Sequence, residues 1–234
     1  QSSIFLSVGQ GFDVINGNAT ILDIVRRDNF YINTGINAKH RTEIFNGFYL
    51  NTEVVFNKRE DFGDFKFSRL GDELFDNNSP STFPNSSILK TNFRLDYTPK
   101  QLYISEPNEK IVMGSKYPTF SFRLSKAFQL DNNLKKAFTN IEFNVEQYFN
   151  VGILGTSEYR IGIGRFLDTT KVAPMDYQYQ RGGDPIWFSP SMYTYQYIPE
   201  TFSTFNWFFE SHYEHQFNGF LTSKIPLLNK TGLK

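Results

Sequence analysis

Apolar and polar residues alternate one for one along most of this chain, which is the period of a strand whose two faces meet different surroundings. Over 46–57, Phe48, Leu50, Thr52, Val54 and Phe56 fall on one face, opposite Gly47, Tyr49, Asn51, Glu53, Val55 and Asn57. Over 89–97, Leu89, Thr91, Phe93, Leu95 and Tyr97 oppose Lys90, Asn92, Arg94 and Asp96. Phe30, Ile32, Thr34, Ile36 and Ala38 likewise oppose Tyr31, Asn33, Gly35, Asn37 and Lys39. Ile141, Phe143 and Val145 oppose Glu142, Asn144 and Glu146, and Tyr159, Ile161 and Ile163 oppose Arg160, Gly162 and Gly164. Phe205, Trp207, Phe209 and Tyr213 oppose Asn206, Glu210, His212 and Glu214. Weaker alternation over 4–10, 119–128 and 219–224 brings the expectation to roughly eight or nine strands in an all-β chain. Helical periodicity reaches no further than a short piece at 69–75.

Alternation fits an antiparallel sandwich in water as well as a barrel in a membrane. Three features favour the barrel. The strands run about nine to eleven residues, the length that crosses a bilayer at a tilt. The polar faces are rich in Asn, Glu, Arg and Lys, which suit a wet lumen. Aromatics stand at strand ends, among them Phe30, Tyr31, Tyr97, Phe128, Tyr148, Phe149 and Tyr213, as interfacial girdles require. The expected fold is therefore an antiparallel transmembrane β-barrel over 1–234, whole or an incomplete portion of a larger barrel. A soluble β-sandwich binding module is the competing fold.

Two connections are long, about 58–87 and about 168–201, both with several aromatics, and long loops at one end with short turns at the other are expected of such a barrel. Asp131-Asn132-Asn133 and Phe217-Asn218-Gly219 read as turns. No apolar run reaches the length of a transmembrane helix. The opening residues carry no signal-peptide pattern, and the last ones, Thr231-Gly232-Leu233-Lys234, lack a terminal aromatic. Both point to a portion of a larger protein.

Charge and composition narrow the functions. Lys and Arg number 24 and Asp and Glu 24, so there is no reservoir of positive charge for nucleic acid. Absence of cysteine excludes disulfides and Cys-based metal sites. An aromatic content of 18% is too high for a disordered chain. The polar faces collect Lys90, Arg94, Asp96, Glu142, Glu146, Arg160, Glu210, His212 and Glu214 as lumen candidates. Opposite charges that pair across a lumen narrow it, and favour a scaffold over a strongly selective pore.

Glu210, His212 and Glu214 recur at about 7 Å on one strand face, beside His215, and these donor types can hold a metal. A hydrated strand face has the same pattern, and no metal is assigned. Arg181-Gly182-Gly183-Asp184 is a candidate loop folding into the lumen, with Arg181 reaching Glu142, Glu146 or Glu210; a plain surface hairpin fits equally. No Gly-Lys-Ser/Thr follows, so it is no phosphate loop. Hydrolysis has weak support: Ser211 and His212 point to opposite faces, no Gly-x-Ser-x-Gly occurs, and the histidines are His40, His212 and His215. The chain is read as a non-enzyme without cofactor.

Gln101-Leu102-Tyr103-Ile104-Ser105 and Gly114-Ser115-Lys116-Tyr117-Pro118-Thr119-Phe120 resemble a segment of a Bacteroidota outer-membrane β-barrel family of uncharacterised function. The resemblance continues through Gly155-Thr156-Ser157-Glu158-Tyr159-Arg160 and Thr204-Phe205-Asn206. It is most specific in Glu214-His215-Gln216-Phe217-Asn218-Gly219-Phe220-Leu221 and Lys224-Ile225-Pro226-Leu227-Leu228. It departs from the family's pattern at Glu210-Ser211-His212-Tyr213. Members usually carry a carboxypeptidase-regulatory-like domain ahead of the barrel, and no catalytic residues transfer from them. A more distant similarity is to assembly-type barrels, in which an Arg-Gly loop enters the lumen; Arg181-Gly182 would play that part. The resemblance implies the outer membrane of a Gram-negative bacterium, with outer-membrane lipid and other envelope proteins as partners.

Overall fold

A computed structural model describes residues 2–19, 26–63, 79, 81–107, 109–130, 135–169, 171–183, 190–198, 202–220 and 224, and among them regular structure is built from twelve strands. They are β1 (Ser2–Val14), β2 (Phe30–Phe45), β3 (Phe48–Glu60), β4 (Ser86–Tyr97), β5 (Leu102–Ser105), β6 (Lys110–Gly114), β7 (Thr119–Gln129), β8 (Lys135–Asn150), β9 (Thr156–Asp168), β10 (Gln178–Gln180), β11 (Phe202–Thr204) and β12 (Trp207–Gln216). Among the described residues only single 3-10 turns interrupt them, so the chain is all-β.

The eight long strands form one antiparallel sheet in the order β1-β2-β3-β4-β7-β8-β9-β12. Each neighbour is the next long strand along the chain, a meander that needs no crossover. All six strongly alternating segments lie in it, and the weaker 4–10 and 119–128 are β1 and β7. The strands run from 10 residues in β12 and 11 in β7, within the expected span, to 16 in β2 and β8, where the ladder continues past the alternating stretch. Asn218 and Gly219 have φ of 47° and 86° and sit in a turn, so no strand begins at 219; residues 221–223 lie outside the described residues. So do the Asp131-Asn132-Asn133 stretch and the 69–75 piece.

Among the described residues the sheet does not close: β1 pairs with β2 alone and β12 with β9 alone, so both are edges. The expected fold is a barrel, whole or an incomplete portion of a larger one; no closed barrel is found among these residues, and the antiparallel sheet is open. It is nevertheless strongly curved: one cavity of about 660 Å³ touches Ser3 and Phe5 of β1 and also Phe166 of β9, strands six places apart in the order.

The connections sort by end. Those after β1, β3, β7 and β9 lie at one end, here the upper, and those after β2, β4 and β8 at the other. The lower turns are short except 98–118, which carries the separate β5–β6 hairpin and breaks the expected pattern. At Gly155, in the turn before β9, φ is +115° and a Cβ would lie 1.9 Å from the Gln216 carbonyl oxygen, so that tight approach requires glycine.

Register divides the sheet into two faces. The outer face carries Ile4, Leu6 and Val8 of β1, Val54 and Phe56 of β3, Phe93 of β4, Phe122 of β7, Phe143 of β8, Ile161 and Ile163 of β9 and Phe209 of β12, all exposed. Cations bound it above: Lys58 on β3, Lys126 on β7 and Arg165 on β9. Carried through the registers, Arg165 stands level with Ile141, Leu124, Phe93 and Thr52, six positions below Lys58. Six positions along a strand are about 20 Å, and the four steps from β3 to β9 about 19 Å, so this boundary runs at about 45° to the strands. Aromatics bound the face below. Phe45 stacks on Phe48 at 4.8 Å with Tyr97 edge-on to both, and Phe149 packs against Tyr159 at 6.3 Å. Between the boundaries no described Asp, Glu, Lys or Arg stands on this face.

The inner face holds the small apolar core, Ile88, Ala127, Ala137, Phe138, Phe166 and Phe208, with Val172 packed on it from the connection after β9. Gly164 makes this possible, since a Cβ there would strike the Phe208 ring at 2.3 Å.

Candidate functional site

Below the small core the inner face is polar, and its side chains reach it by simple alternation on seven strands, β2, β3, β4, β7, β8, β9 and β12. Registers place all nine charged and His candidates on this one face. Arg94 of β4 lies opposite Arg123 and, through it, Glu142; Asp96 shares a level with Ser121, Asn144, Gly162 and Glu210. Glu146, Arg160 and His212 share a lower level, and Glu214 lies below them beside Glu158.

The pairs that form are local, between neighbouring strands or neighbouring inward positions. Arg94 Nε donates to Asp96 at 2.7 Å, and Asn51 and Ser121 donate to the same carboxylate at 2.9 and 2.6 Å. Arg123 donates to Glu142 at 3.1 Å and Asn140 to its other oxygen at 2.9 Å. Glu53 accepts from Asn37 and Asn92, both at 2.9 Å, and pairs with Lys39 at 3.1 Å. Arg160 lies 3.5 Å from Glu210, and Glu146 is exposed.

The most deeply buried pair was not legible as a motif. Arg59, at the upper end of β3, meets Asp176 in a two-bond fork of 2.5 and 3.0 Å, with side chains only 5% and 2% exposed. Lys90 approaches the same carboxylate at 3.7 Å. Asp176 belongs to the connection after β9, so this fork holds segment 171–180 against the inner face. Its neighbour Tyr177 packs on Phe205, and the Asn18 amide donates to the Tyr179 carbonyl at 2.7 Å. Burial pushes the Tyr179 phenol above its ordinary pKa. Following the alternation of β3 to its end finds Arg59; nothing periodic marks Asp176.

A second part of the same connection covers β9 and β12. The Gly183 N–H donates to the Ile198 carbonyl at 2.7 Å and the Tyr195 N–H to the Arg181 carbonyl at 3.0 Å, which ties the Arg181-Gly182-Gly183 stretch to 195–198. Tyr195 lies on the His212 ring at 4.6 Å, His212 Nδ1 donates to the Ser191 carbonyl at 3.2 Å, and the Ser191 hydroxyl donates to Glu214. Arg160 sits over the Tyr193 ring at 5.0 Å. The described part of the loop thus lies on the inner face, where Ser191, Tyr193 and Tyr195 contact the strands. Asp184 lies outside the described residues. Burial raises the Tyr195 phenol as well.

Two chemistries can be examined directly. Among the described residues no three His, Asp or Glu side chains converge on a metal position, and His215 stands on the outer face, away from His212. A serine–histidine contact does exist between strands: Ser157 Oγ lies 2.7 Å from His215 Nδ1, whose Nε2 donates to the Leu154 carbonyl at 3.0 Å. Ser157 is 2% exposed, beneath Tyr213 and His215, so its hydroxyl is closed to a substrate in this arrangement.

One family profile matches residues 1–234, the whole chain, and is described as the C-terminal domain of a family of unknown function, DUF5686. The chain belongs to this family. No curated protein and no solved structure matches it. The match takes in both faces of the DUF5686 sheet and the connection folded against it, so the roles of these parts rest on their geometry alone.

Proposed function

We propose that this DUF5686 domain is part of the wall of an outer-membrane β-barrel in a Gram-negative bacterium, of the Bacteroidota, where it serves as a structural or accessory component of an envelope assembly. The observation that carries the reading is the reversal of the two faces. An apolar side chain left in water forgoes about 1.5–3 kcal/mol of burial, and contiguous bare apolar surface beyond a few hundred Å² marks a partner or a membrane. Here the bare face spans eight strands, and its cationic boundary runs at the slope of barrel strands, about 35–45°. The aromatic lower boundary fits an interfacial girdle.

The edges β1 and β12 leave room for further strands, which suits a portion of a larger barrel. On the inner side, locally paired charges and a segment fixed by Arg59 and Asp176 suit a narrowed interior and a scaffold. The decisive experiment is membrane fractionation of the full-length protein with heat-modifiable gel mobility. The reading expects detergent-dependent extraction from the outer membrane and a folded band that shifts on boiling; a freely soluble protein would overturn it.

A second reading is a transport or protein-assembly barrel in which the Arg181 loop is a lid. It is favoured by the position of 191–195 over His212 and Glu214. Conductance of the full-length protein in planar bilayers separates the two, since a scaffold passes little current and a transporter opens when the loop is loosened.

A further inference from the structure

We infer that the inner face carries a binding site for a soluble, multiply charged oxyanion, a phosphorylated or polycarboxylate solute, centred on Arg41, Arg94 and Arg123. These three stand on one level of the sheet: Arg41 lies opposite Asn51, Asn51 opposite Arg94, and Arg94 opposite Arg123. Like charges directly opposite each other on neighbouring strands repel and destabilise the pairing. The strands nevertheless place Arg94 and Arg123 there with no acid between them.

Each arginine is held from one side only. Arg94 uses Nε on Asp96, and Arg123 one terminal nitrogen on Glu142, while Arg41 lies over the Tyr49 ring at 4.8 Å. The remaining guanidinium nitrogens of Arg94 and Arg123 have no acceptor among the described residues, and both side chains are about two-fifths exposed. All three arginines line the cavity of about 660 Å³, together with Lys39 and Lys90. That volume falls in the range of small-molecule sites. A planar guanidinium presents paired donors that match a phosphate or carboxylate edge, so an oxyanion between Arg94 and Arg123 would satisfy the free donors and cancel the repulsion. The carboxylates on the cavity, Glu53, Glu142 and Asp176, are already engaged by the bonds described above. Because the site needs only the curved sheet, it stands or falls separately from the membrane reading.

The test is calorimetric titration of the full-length protein with inorganic pyrophosphate at constant ionic strength. Saturable binding is expected, weakened at least tenfold by combined Arg94→Gln and Arg123→Gln and unchanged by Lys100→Gln in the lower connection. Glu142→Gln, which releases Arg123 and removes a competing anion, should tighten binding severalfold. That variant keeps the test decisive if the double variant misfolds. Absence of saturable binding, equal affinity in the double variant, or weaker binding after Glu142→Gln would each overturn the proposal.

Discussion

The two faces of the eight-stranded sheet alternate along the same strands, yet Asn92 and Phe93, one residue apart on β4, meet opposite conditions. Asn92 donates to Glu53 among paired charges, whereas Phe93 is half exposed on the stretch of the outer face that holds no described Asp, Glu, Lys or Arg. In a water-soluble sheet the covered side would be apolar. Here the covered side holds the Arg59–Asp176 fork and the paired charges beside a small apolar core, and the bare side holds a row of exposed apolar side chains.

The strongest way to break this contrast is on the inner side. Arg59→Ala strands a buried carboxylate, and the expected cost is about 3 kcal/mol, the low end for a broken buried pair because Lys90 remains nearby. Denaturant unfolding in detergent measures it. Replacing both partners by Met and Leu should recover most of the loss, and a neutral Arg59→Ala would show that the fork does not hold the segment.

Next comes the outer side. On the proposed barrel-wall reading Phe93→Arg should destabilise the protein by about 2–4 kcal/mol, while Asn92→Arg stays within about 1 kcal/mol beside Glu53. The folded, heat-modifiable fraction of the two variants reports this; equal tolerance would mean that both faces meet water. Tyr195→Ala removes the ring on His212 and should cost about 0.5–1.5 kcal/mol. Faster amide exchange at Gly183 and Tyr195, with β3 and β4 unaffected, is the expected signature. The smallest effect is at the rim: Lys39→Ala breaks an exposed pair with Glu53 and should change stability by less than about 1 kcal/mol.

Much of the fold was legible because a half-covered strand writes its two environments as a period of two. Six segments, with the face of every charged candidate, followed from that alone. β1 was faint because Ser7, Gly9 and Gly11 soften its polar side and every residue up to Asp13 is exposed. Closure was not legible, since alternation fixes faces and says nothing of whether the first strand pairs with the last. The candidate charges were placed on one face, but their partners were not, because Asn37, Asn51 and Ser121 act through cross-strand register. Asp176 lies in an aperiodic connection between Met175 and Tyr177, and only the three-dimensional path of that connection brings it to Arg59.

The free edge of β1 bears on the order in which such a wall can be made. Its 13 residues bond to β2 on one side, and among the described residues nothing pairs with the other. In hydrocarbon each unpaired amide or carbonyl costs several kcal/mol. A strand of this kind cannot wait at the lipid boundary for its neighbour. On the proposed barrel-wall reading, an adjoining strand must already be in register when the sheet leaves water, which makes insertion a concerted step rather than a strand-by-strand addition.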